Sequence, residues 1–69
     1  MNEERPIVFT ITEYMKFGSS RLFYDVKTPD TRGADANLEE LLPVQVFTAM
    51  RTIAEELNNK GYAVLFEVD

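Results

Sequence analysis

The groups in this chain able to do acid–base or nucleophilic chemistry are carboxylates and hydroxyls. Histidine and cysteine are both absent. Their absence removes the usual general base and the most reactive nucleophile, and nearly excludes a structural zinc site. Glu39-Glu40 and Glu55-Glu56 are sequence neighbours. Neighbours on a helix diverge by about 100° rather than converge on one substrate, so both pairs read as solvated helix faces. Asp25, Asp30 and Asp35 recur every five residues, unlike the alternating ligands of a calcium loop. Gly18-Ser19-Ser20 and Gly33 form no phosphate-binding pattern. Ser19 or Ser20 as a nucleophile has only Lys or Glu to serve as its base. The chain reads as non-enzymatic, with no cofactor and no metal.

Binding is the class of function left. Twelve acidic residues against seven basic ones give a formal charge of -5. That balance disfavours nucleic acid and anionic membranes, where cations supply most of the affinity, and favours a basic partner surface. The start, "MNEERPIVFT", places acids ahead of any apolar run, which is wrong for a secretory signal. Nothing approaches the eighteen or so apolar residues of a membrane span, and the lack of cysteine suits a reducing compartment. A cytoplasmic protein is expected. Its 69 residues allow one domain, burying only about 60% of the surface its unfolded form exposes. With disulfides excluded, a partner subunit is the support still open to it.

The elements that must position any binding surface follow from periodicity. "IVFTITEYM" (7–15) and "RLFYDVKT" (21–28) alternate as strands across the turn "KFGSSR", which predicts a β-hairpin. The breaker-rich "TPDTRGADAN" (28–37) is a loop. Asn37 followed by Glu40 has capping-box spacing, predicting one helical turn over 38–41 before a fresh start at Pro43. From Pro43 to Lys60 a broad apolar stripe of Val46, Phe47, Ala49, Met50, Ile53, Ala54 and Leu57 keeps the helical period. Gly61 is placed as the left-handed residue that stops it. "YAVLFEVD" (62–69) supplies the third strand. The expected fold is α+β: a two-layer β-β-α-β domain with a three-stranded antiparallel sheet of order 2-1-3 and one long helix on one face.

That helix covers Ile7, Phe9, Ile11, Leu22, Tyr24, Val26, Val64, Phe66 and Val68. The other face then carries Val8, Phe23 and Leu65, which are unusually apolar for an open sheet surface. If these three lie side by side, they make a docking patch with Tyr14, rimmed by Arg21, Lys27 and Glu67. The edge of the last strand, lacking lysine and proline, is a second candidate. The plain alternative is scattered exposure of a kind every protein shows, or a cover made by the N-terminal segment or the 28–37 loop.

Three functions fit these features. The first is a protein-binding module that regulates or inhibits a larger protein; small phage-encoded inhibitors share this size and charge, a class-level analogy only. The second is a homodimer that buries the open face against its own copy. The third is a single-strand nucleic-acid binder that uses the aromatics and cations of that face, against which the net charge speaks.

Overall fold

The computed structural model describes residues 5–69. Residues 1–4, which include the acids Glu3 and Glu4 and most of the N-terminal segment considered as a cover, lie outside the described residues. The chain runs β1 (Ile7–Met15), β2 (Leu22–Lys27), a short 3-10 helix (Thr31–Ala36), β3 (Leu38–Leu41), α1 (Pro43–Asn59) and β4 (Val64–Val68). It is an α+β fold with one long helix packed on a four-stranded sheet of order β3-β2-β1-β4.

Two expectations are corrected together. Residues 38–41 form no helical turn; they are an edge strand antiparallel to β2. The sheet is therefore mixed rather than all antiparallel, because β4 pairs parallel to β1. The second difference follows from the first. β3 reverses the chain once more before α1, so the crossover that returns after the helix must run in the direction of β1. The central place of β1 is as expected.

Leu38 and Leu41 explain the misreading. A spacing of three is helical, yet here Leu38 pairs with Val26 and Leu41 with Tyr24 across a bulge. The extra residue of the bulge brings both leucines to the same face. Glu40 takes φ 58 within it, a conformation no α-helix accommodates. Asn37 caps no α-helix either. Its side-chain oxygen accepts from the Thr28 N–H at 2.8 Å, closing the loop over a buried threonine.

α1 begins and ends for local reasons. Pro43 takes the first helical position, where a missing N–H costs nothing. Gln45 Oε1 accepts from the Leu42 N–H at 2.8 Å. At the other end Tyr62 N–H donates to Leu57 O at 3.0 Å and Gly61 N–H donates to Asn58 O at 2.9 Å. Gly61 sits at φ 93, the left-handed stop expected of it.

The core is Ile7, Phe9, Ile11, Val26, Ile53 and Leu57, with Tyr24, Leu41, Met50, Val64 and Phe66 packed around it. Leu22 and Val68, expected in this layer, are exposed. Leu22 pairs with Met15 at the tip of the hairpin, beyond the level at which Leu41 hands the chain to α1. Phe47 lies on the flank of the apolar stripe and is exposed too, as is Val44.

The 3-10 helix seals the end of this core. A Cβ on Gly33 would lie 3.0 Å from Ile7 Cγ2 and 3.1 Å from Phe9 Cζ. Both side chains are fully buried, in an interior that is close-packed. Gly33→Ala is expected to cost about 1–3 kcal/mol by overpacking, read as a lower urea midpoint; an unchanged midpoint would contradict this packing.

Asp30 caps the same helix, accepting from the Arg32 backbone N–H at 3.0 Å. Its carboxylate also takes the Arg32 guanidinium, Nη2 to Oδ2 at 2.6 Å. These hydrogen bonds, side-chain first, lower its pKa from 3.8 to about 2. Folding is thus favoured by the ionised form. That contribution is complete above about 3.8 and drains away as the pH falls through about 2. Carboxyl NMR of the folded protein should find the Asp30 midpoint near the lower value, and Arg32→Gln should move it back up. A wild-type midpoint at the ordinary value would refute the pairing.

Candidate interaction surfaces

The open face is ordered by β1. Across it Val8 pairs with Leu65 and Thr10 with Glu67 on β4. On the other side Thr10 pairs with Lys27, Thr12 with Asp25 and Tyr14 with Phe23. Of the seven residues expected to form one site, Val8, Leu65 and Glu67 come together at one end. Tyr14 and Phe23 meet at the other, six residues or about 20 Å along the strand. The two threonines separate them. Val8 and Leu65 are side by side as expected; Phe23 does not join them. Lys27 sits between the groups, and Arg21 falls in the hairpin turn, its N–H donating to Ser19 Oγ at 3.1 Å.

The Tyr14 end is satisfied within the chain. The Tyr14 hydroxyl donates to Asp25 Oδ1 at 2.9 Å, and the same oxygen accepts from the Glu40 N–H at 3.0 Å. Burial, then this bond to a carboxylate, raises the Tyr14 pKa, so the phenol stays a neutral donor. The Tyr14 and Phe23 rings lie 6.1 Å apart, and Lys16 Nζ stands 5.3 Å above Phe23. Lys16 pairs with Glu40 at 3.3 Å and Lys27 pairs with Glu39, whose hydrogen bond raises the Lys27 pKa. Both of these lysines are matched by a carboxylate, which reduces the positive charge open to a nucleic-acid backbone.

A shallow groove of about 770 Å³ runs between Pro6, Val8 and Thr10 on one side and Thr28, Pro29 and Thr31 on the other. Two of its polar residues are engaged locally: Thr28 Oγ1 accepts from the Asp30 N–H, and Asp30 holds Arg32. Among the described residues no cluster of three or more metal-ligating side chains occurs, and no helix is long and apolar enough to cross a membrane.

The two edges of the sheet differ sharply. β3 is short, bulged and guarded by Glu39 and Glu40 with their lysine partners, the devices by which proteins blunt an edge. Among the described residues β4 has no bulge and no ion pair, and its one charged residue is Glu67. Its sequence VLFEV contains no lysine, arginine or proline, and its register with β1 is unbroken over five residues. Ile7 N–H donates to Ala63 O and Asp69 N–H to Ile11 O, each at 2.9 Å. Odd-numbered residues therefore spend their backbone groups on β1. By strand alternation Val64, Phe66 and Val68 turn theirs outward.

Apolar side chains flank this bare edge. Leu65 is 52% exposed on the open face, and Val68 is 81% exposed on the helix side. Glu56 and Leu57 line a small cleft with Arg32, Asp35 and Ala36 of the 3-10 helix. Phe47, nine residues before Glu56, lies on the opposite flank of α1 and is 81% exposed. The sequence offers the β4 edge as a second candidate by its missing lysine and proline. What it did not show is that the opposite edge is guarded. No known protein family, curated protein or solved structure matches the chain.

Proposed function

We propose that this chain is a non-enzymatic protein-binding module that regulates a larger protein by accepting one of its extended segments along β4. The observation carrying this reading is the contrast between the edges: β3 is bulged and guarded by lysine–glutamate pairs, while β4 presents three outward-facing residues, no bulge and no lysine, its one charge being Glu67. Strand addition uses such an edge directly. Main-chain hydrogen bonds provide affinity, and flanking side chains provide choice. Leu65 and Val8 on one side and Val68 on the other supply the flanking apolar surface. Tyr14, Phe23 and Arg21 stand too far along the sheet to share in it.

The test is capture of the partner by wild type, Leu65→Lys and Phe23→Ala, with circular dichroism showing all three folded. A lysine in the middle of an edge strand is a natural guard against pairing, so Leu65→Lys should abolish capture while Phe23→Ala retains it. Loss with Phe23→Ala and retention with Leu65→Lys would move the site to the Tyr14 end of the open face.

A further inference from the structure

Resting on that strand-addition reading, we infer that the occupant of the β4 edge is a basic segment of alternating pattern: apolar residues toward the helix side, lysine or arginine toward the open face. The alternation comes from the edge itself. A strand hydrogen-bonded to Val64, Phe66 and Val68 places the residues opposite them on the helix side. There they adjoin Val68 and the flank of α1 that bears Phe47, both widely exposed apolar surfaces. The intervening residues fall opposite Leu65 and Glu67 on the open face.

The charge comes from what surrounds those open-face positions. Glu67 and Asp69 are exposed, and β4 carries no cation of its own. Glu67 faces Thr10 in the β1 ladder, and the lysine beyond that threonine belongs to Glu39. Among the described residues Glu67 has no ion-pair partner within the chain. An arriving cation opposite Leu65 or Glu67 meets uncompensated negative charge in a protein of net charge -5, which also speeds its approach.

The same charges oppose a second copy of this chain. Antiparallel pairing of β4 with itself about Phe66 opposes Leu65 to Glu67 of the copy. It also makes the two Glu67 residues diagonal neighbours, their backbone positions about 7–8 Å apart, between molecules of equal negative charge. The edge is built to accept a different partner.

The probe is a blocked, fluorescently labelled peptide of alternating valine and lysine, three valines and two lysines, followed by anisotropy at low salt with the full chain. Two controls share its length: one with glutamate for lysine, one with the same residues but the two lysines adjacent. The alternating lysine peptide should bind at least about tenfold more tightly than the glutamate peptide, lose affinity as salt rises, and outbind the scrambled peptide of equal charge. Equal affinity for the glutamate peptide would overturn the charge inference while leaving strand addition in place. Equal affinity for the scrambled peptide would overturn the alternation. Binding of none of the three would overturn both the inference and the reading beneath it. A dimer in sedimentation without peptide, with Val64, Phe66 and Val68 amides protected, would overturn the inference in favour of a second copy.

Discussion

Phe9→Ala is expected to remove most of the stability of this domain. Phe9 is fully buried on β1, the strand with neighbours on both sides. Its ring lies 5.7 Å from that of Phe66 and beneath Gly33, so it touches β4, the 3-10 helix and the core at once. Truncating such a residue costs about 3–5 kcal/mol. A chain of this length has roughly 3–10 kcal/mol in total. The urea midpoint should therefore fall by several molar, or the variant should be unfolded in buffer. Val8→Ala, the adjacent position on the open face, is half-buried and should cost about 1 kcal/mol or less. Equal losses at the two positions would mean that the helix does not define the core face.

Val68→Pro is expected to weaken strand addition at least about tenfold while leaving the fold intact. The Val68 N–H faces outward, so proline removes no bond of the β1 ladder, and proline is tolerated on an edge strand with its nitrogen toward solvent. Its side chain is exposed, which holds the stability change to about 1 kcal/mol. The incoming strand, by contrast, loses a donor, and one of its carbonyls is left without a partner, a cost of about 1–3 kcal/mol. Affinity for the alternating lysine peptide should fall at least tenfold, with the melting curve little changed. Because the substitution carries no charge, it separates edge pairing from general attraction between a basic peptide and an acidic protein. Unaltered affinity would place the peptide elsewhere.

The sequence revealed most of the layers and little of the edges. Alternation over 7–15 and 22–27 and the 3.6 period over 43–59 are strong because one face of each element is buried, and burial writes the period. The four residues 38–41 carry no such signal. Their two leucines satisfy a helical spacing and a bulged strand equally well, and the bulge is decided by the tertiary partners Tyr24, Val26 and Asp25. Missing that strand reversed the direction of the last one. The open face was legible as a set of side chains but not as a map. Register alone pairs Val8 with Leu65 and sends Phe23 to Tyr14, and register depends on contacts distant in sequence. Exposure of Val68 and Phe47 depends on where α1 lies across the sheet, which periodicity does not specify.

The most direct test of the account is residue-resolved amide exchange of the full chain with and without the alternating lysine peptide. Amides of Leu65 and Glu67, committed to β1, should be protected in both states. Those of Val64, Phe66 and Val68 should exchange quickly in the free protein and slow markedly when peptide is bound. Protection that leaves these three unchanged and falls instead on residues around Tyr14 and Phe23 would contradict the central claim that β4 is the binding edge.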